Sequence, residues 1–236
     1  MKILALDTCD PAGSIAFLRG DEAIRVEAHS TPEDYSSWLL PAARRVLSAE
    51  DQELGGLDLF AVAAGPGSFT GVRIGLTTVK AWAEIYGRPV AAVSRLQALA
   101  EESRGSSPYI AAFFDARRNQ LFGALYRRDS ELRRIEDEAV IAPVQFLEWC
   151  ASRRGSAAID WISPQPPCLT EVPSWGDRQD RGESVQEFTG LLAPGIGRIG
   201  LRLAEQGKLT DALRLDANYI RRSDAELFWK GATHGS

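Results

Sequence analysis

The stretch Ala64-Gly65-Pro66-Gly67-Ser68-Phe69-Thr70-Gly71-Val72-Arg73-Ile74-Gly75 decides how the chain is read. It follows the apolar run Leu57 to Ala64, which reads as a buried central strand, and it opens a helical pattern over 71–87. Glycine permits close backbone approach and positive φ, and Ser68 or Thr70 can cap the helix. A glycine-rich strand–turn–helix is a ready anion site. No Gly-Lys-Ser/Thr closes this one, so it is not a Walker loop, and Pro66 and Phe69 crowd out a dinucleotide fingerprint. The alternative use is mechanical. Gly71 and Gly75 stand four apart beside Val72, Leu76, Val79 and Ala83. Such a small-residue face lets a second helix approach at the short end of the usual spacing, about 8 Å.

Working outward, residues 3–8, 14–19 and 22–28 read as an antiparallel meander, with turn chemistry at Arg19-Gly20-Asp21-Glu22. A helix is expected near 35–49, a strand at 89–94 and a helix near 95–103. The helix near 35–49 carries the broad apolar set Trp38, Leu39, Ala42, Ala43, Val46 and Leu47, and Pro41 lies inside it. This order makes a layered α/β lobe. The pattern restarts near residue 108, with a strand pair at 109–115 and 120–127, a third strand over 132–141 and a helix at 143–153. Residues 163–183 read as a surface loop, and 191–206 as a helix. The expected division is a first lobe of 1–104 plus about 208–236, with the periodic segment 218–230 returning to it, and a smaller second lobe of 105–207.

The chain has 236 residues, 27 basic and 32 acidic, with 44% hydrophobic residues, as in an ordinary globular protein. No run approaches the ~20 apolar residues of a membrane helix. The N-terminus reaches Asp7 too early for a signal peptide. Three scattered cysteines suggest a reducing, cytoplasmic setting. Only His29 and His234 are present, which disfavours a paired-histidine metal site or a histidine-assisted nucleophile. Residues 1–69 are net −6 and residues 70–135 net +5, with the pairs Arg117-Arg118, Arg127-Arg128 and Arg133-Arg134. A solvated sheet face explains these pairs better than a nucleic-acid surface, since the whole chain is acidic.

Asp7, Thr8 and Ser14 flank the first turn in the manner of the phosphate-binding hairpin of sugar and acetate kinases of the actin-like fold. Alone this signal is weak, and a plain hairpin whose Asp7 and Thr8 cap the turn explains it better. The glycine stretch, together with Ile3-Leu4-Ala5-Leu6-Asp7-Thr8, Leu39-Leu40-Pro41, Asp115-Ala116-Arg117 and Tyr219-Ile220-Arg221, resembles the TsaB family. The likeness is dense over residues 1–125 and thin over 130–210. It implies a two-lobed actin-like (ASKHA) ATPase fold and a non-catalytic scaffold for TsaD in making threonylcarbamoyladenosine at adenosine 37 of tRNA. The catalytic sister TsaD binds metal through paired histidines on its first helix. Tyr35, Ser36, Ser37 and Trp38 stand at that stretch here.

The resemblance further implies a TsaD heterodimer, TsaE recruited through it and at most indirect or weak contact with tRNA. In the chain alone the same helix face is expected to be an exposed apolar patch, and hence to form a homodimer. No catalytic residue, metal or cofactor is expected, ATP being used by partner subunits. The expected partner interface is Trp38, Leu39, Ala42, Val46, Gly71, Val72, Gly75, Leu76, Val79 and Ala83, with Asp7, Thr8 and Ser14 as a vestigial phosphate site. The competing expectation is an active ATP-dependent small-molecule kinase or ATPase of the same fold, and a peptidase ranks third.

Overall fold

The computed structural model describes residues 1–29, 33–211 and 215. The meander forms as β1 (Lys2–Asp7), β2 (Ser14–Arg19) and β3 (Glu22–Ala28). Helix α1 (Tyr35–Ser48) and β4 (Leu59–Ala63) follow, then α2 (Phe69–Tyr86) and β5 (Val90–Val93). The sheet order is β3-β2-β1-β4-β5, antiparallel through β1 and parallel from β1 to β5. Parallel pairs need crossovers, and α2 provides the one from β4 to β5. Helix α3 (Arg95–Glu101) then leads to β6 (Tyr109–Arg117) and β7 (Gln120–Arg128).

The segment read as one strand over 132–141 is two short ones, β8 (Leu132–Arg134) and β9 (Ala139–Ile141), both paired with β7. Acidic Glu136, Asp137 and Glu138 interrupt them. Helix α4 (Pro143–Arg154) and β10 (Ile159–Ser163) follow. The surface loop expected at 163–183 instead holds short helices α5 (Pro167–Thr170) and α6 (Gly176–Gln179), with Leu169, Trp175 and Arg178 buried. Strand β11 (Val185–Glu187) and helix α7 (Ala193–Glu205) complete the described chain. The second sheet runs β11-β10-β6-β7-β8.

Alternation along the strands assigns the layers. In β4, Phe60 and Val62 face α2, where Phe60 meets Trp82 and Val62 lies beside Gly75. Leu59 and Ala61 point the other way, onto Gly200 of α7. Helix α7 therefore covers the first sheet, packing on β1, β2, β4 and β5. That corrects the expected lobe boundary, because 193–205 sits on the first lobe's sheet rather than in the second lobe. Thr210 bridges Val90, and Leu215 is buried in the same core. The periodic segment 218–230 lies outside the described residues. In β6, Ala111 and Phe113 join Phe146, Cys150 and Trp161 under α4, while Ile110, Ala112 and Phe114 face α3 and the first lobe. One hydrophobic cluster thus spans both lobes, and a second lies under α4 in the second lobe.

Candidate functional site

The site lies where β1 ends. Asp7 is buried, and its Oδ1 accepts the Cys9 backbone N–H at 2.9 Å while Oδ2 accepts Arg95 Nε at 2.8 Å. Arg95 is itself buried, with Nη1 3.7 Å from Asp10 and its guanidinium 4.3 Å from the Phe114 ring centroid. Burial works against the guanidinium charge, but Asp7, Cys9 and Asp10 outweigh it and hold the Arg95 pKa above its usual range. Thr8 Oγ1 donates to the Gly71 carbonyl at 2.7 Å, and Ser14 Oγ accepts the Ala193 N–H at 3.2 Å. The structure brings Asp7, Thr8 and Ser14 together at one turn, and the chain's own groups engage all three.

The glycine stretch presses on this turn. Ser68 N donates to the Cys9 carbonyl at 2.7 Å, and Ser68 Oγ caps α2 by accepting Gly71 N–H. A Cβ on Gly71 would overlap the Thr8 carbonyl oxygen, and one on Gly75 would overlap Thr8 Oγ1. The glycines thus let α2 sit tightly on the Thr8–Cys9 turn of the same chain, in place of the expected approach of a second helix. On the other side Tyr35 Oη donates to the Asp10 carbonyl, and His29 stacks on Tyr35 at 4.1 Å. Both His29 ring nitrogens lie within hydrogen-bond distance of carbonyl oxygens, Pro11 at 2.9 Å and Glu33 at 2.6 Å. Burial and the Asp7 charge push the Tyr35 hydroxyl pKa up, so it stays a donor.

The ten residues expected to face a partner lie elsewhere than expected. Trp38, Leu39, Ala42, Val46, Gly71, Val72, Gly75, Leu76, Val79 and Ala83 are all buried within the chain. This corrects the expectation of an exposed small-residue face: the first lobe's own sheet and turn already cover it. The outward stripes are different residues. On α1 they are Ser37, Leu40, Pro41 and Arg44, and on α2 Arg73, Thr77, Ala81 and Ile85, with Leu40 57% and Ile85 71% exposed. Helices α1 and α2 pack side by side, and Phe69 and Tyr86 are further exposed apolar groups at the two ends of α2.

Sequence reasoning missed Arg95. Its only signal was an arginine inside the apolar run Val93-Ser94-Arg95-Leu96, and its partner Asp7 lies 88 residues away. At least five of the six arginines in the arginine pairs meet carboxylates. Arg127 and Arg133 bind Asp129, Arg128 binds Asp160, Arg134 binds Asp137 and Glu138, and Arg117 binds Asp115. Among the described residues no group of three or more His, Cys, Asp or Glu could hold a metal, and no helix is long and apolar enough to cross a membrane. The cysteines are not poised nucleophiles. Burial raises the thiol pKa of Cys9 and Cys150, and raises Cys168 to about 12.

The architecture is the two-lobed actin-like fold. YeaZ from Pseudomonas aeruginosa superposes with a TM-score of 0.72 at 28% identity, covering 92% of this chain and 99% of that one. Residues 29–172 match the family described as TsaD, tRNA N6-adenosine threonylcarbamoyltransferase. The tRNA threonylcarbamoyladenosine biosynthesis protein TsaB of Bacillus subtilis is 39% identical over 63% of this chain, a match spanning 64% of the relative. The protein of the same name from Escherichia coli is 32% identical over 98% of this chain and 97% of its own length. With near-complete coverage at that identity, and with the fold and the glycine stretch in agreement, the chain belongs to the TsaB family.

Proposed function

We propose that this chain is a non-catalytic subunit of the machinery that forms threonylcarbamoyladenosine in tRNA, and that it acts by holding the transferase TsaD. One observation carries the reading. The turn where an actin-like kinase would hold a phosphate and its metal is filled by the chain's own groups: Arg95 on Asp7, Tyr35 on the Asp10 carbonyl, and α2 on Thr8 and Cys9. A phosphate entering there would have to displace a buried ion pair and the start of a helix. Breaking such a pair one-sidedly costs about 3–5 kcal/mol.

Partner binding then falls to the outward stripes of α1 and α2. Leu40, Pro41, Thr77, Ala81 and Ile85 present apolar and small side chains between the charged Arg44 and Arg73. Pairing these two helices with two of TsaD would bury on the order of 1,200–2,000 Å² in total. TsaD transfers the threonylcarbamoyl group to adenosine 37, TsaE joins through the complex, and the cofactor ATP is used by those partners. Without TsaD the same stripe pairs with a second copy of the chain.

The test is a titration of TsaD onto the wild type and onto Ala81→Asp and Ile85→Asp, with circular dichroism as the folding control. Loss of binding with an unchanged spectrum supports the reading, and undiminished binding removes it. Substitutions at Gly75 or Val79 cannot serve here, because both residues are core. Calorimetry with ATP and magnesium separates the kinase alternative, for which tight binding and turnover would be required.

A further inference from the structure

Arg95 is the first residue of α3, yet its contacts reach both lobes. Its side chain holds Asp7 at the end of β1, lies on Phe114 of β6, and its backbone N–H donates to the Gly65 carbonyl at 2.7 Å. Its neighbour Ser94 donates to Glu138, which also accepts from Tyr126 Oη at 3.4 Å. The corner 94–95 therefore ties the first sheet to the second. From Asp7 the connection continues without a gap. Asp7 Oδ1 accepts the Cys9 N–H, the Cys9 carbonyl accepts the Ser68 N–H, and Thr8 Oγ1 donates to the Gly71 carbonyl at the first turn of α2.

We infer that Arg95 is a positioning residue: a built-in cation at Asp7 that fixes the start of α2 against the second lobe. The physical reason is that Asp7 is fully desolvated, so its charge must be met by a partner inside the protein. A planar guanidinium can meet it edge-on and stack on Phe114 face-on at once, which an ammonium cannot do. The turn 7–9 is thereby held in one shape, and α2 rests on that turn with glycine-to-carbonyl contact, so little play remains between them. This rests on the reading of α2 as the partner-facing helix only for its consequence in binding. The ordering itself is a property of the isolated chain.

The test compares Arg95→Met, Asp7→Asn and the double variant in the full-length chain, by hydrogen exchange of residues 71–75, with α4 amides as the control. Each single variant strands a buried group, so both should melt well below the wild type. The double variant removes both charges together and should recover most of that loss. Even so, its α2 amides should exchange at least about tenfold faster than wild type while those of α4 stay unchanged. A double variant with wild-type exchange in α2 overturns the inference, because Arg95 would then merely neutralise Asp7.

If the singles do not fold, Arg95→Lys substitutes, keeping the charge but losing the stack. Faster exchange confined to the α2 start supports the assignment, and wild-type exchange refutes it. TsaD affinity measured on the same variants is a separate question. Faster α2 exchange with unchanged affinity would leave Arg95's role intact and count against α2 as the docking helix.

Discussion

Each lobe has a hairpin that carries an acid at its first strand's end, and the two hairpins have met opposite fates. In β1–β2 the acid is Asp7, buried under α2 and matched by Arg95. In β6–β7 it is Asp115, with a side chain 29% exposed, which accepts the Arg117 N–H at 2.7 Å and pairs with the Arg117 guanidinium at 3.4 Å. The Arg117 side chain is 84% exposed, and Arg117, Arg118 and Asn119 all take left-handed backbone conformations at the tip. The contrast lies in burial rather than in sequence. A helix with glycines on its inner face can close over the first turn, so the acid there needs an internal cation. Among the described residues no helix closes over the second turn in this way, and its ion pair reaches solvent, where such pairs contribute little.

The largest effect that would break this comparison is steric. Gly71→Val would drive a branched side chain into the Thr8 carbonyl, and the backbone cannot yield without moving β1. A loss of about 4 kcal/mol or more is expected, read as a fall in Tm of roughly 10 °C or as insoluble expression. Next comes the pair of carboxylates. Asp7→Asn strands a buried guanidinium and should cost about 3–5 kcal/mol. Asp115→Asn should cost under about 1 kcal/mol. Urea melts of the two variants side by side check the difference, and equal losses would erase the distinction between the hairpins.

The thiols sharpen the same point at smaller scale. Burial favours the neutral form, so Cys9 and Cys150 stay protonated through pH 7 to 9, and Cys168 ionises only near pH 12. Alkylation of the native protein at pH 8 should therefore be slow at all three, rising only on unfolding. Rapid labelling of Cys9 would mean that the first turn opens. The smallest stability effect is expected on the outward stripe, where Ile85→Asp should shift stability by less than about 0.5 kcal/mol.

The fold was largely legible because alternation and turn chemistry mark each hairpin. The strands 14–19 and 22–28 form as read, and α1 and α2 lie within two residues of their expected bounds. Strand β10 escaped because five residues containing Asp160 and bounded by Pro164 show little periodicity. Helix α7 was legible as a helix but not in its place, since an apolar face does not say which sheet covers it. The same limit governed the site. The pattern in α1 and α2 identified an apolar, small-residue face correctly, but the identity of its cover was a tertiary fact. The cover is β1, β2, β4 and the Thr8–Cys9 turn, and the face turned to solvent is the less conspicuous one. Arg95 was illegible because a buried charge is announced only by its partner.

In the function proposed for this chain, TsaD docks on the outward side of α1 and α2 rather than on the face the chain buries. The most direct measurement is the affinity of TsaD for Ile85→Asp against wild type, both confirmed as folded. A loss of at least about thirtyfold is expected, the equivalent of about 2 kcal/mol at an interface anchor. An Ile85→Asp variant that binds TsaD as tightly as the wild type would contradict it.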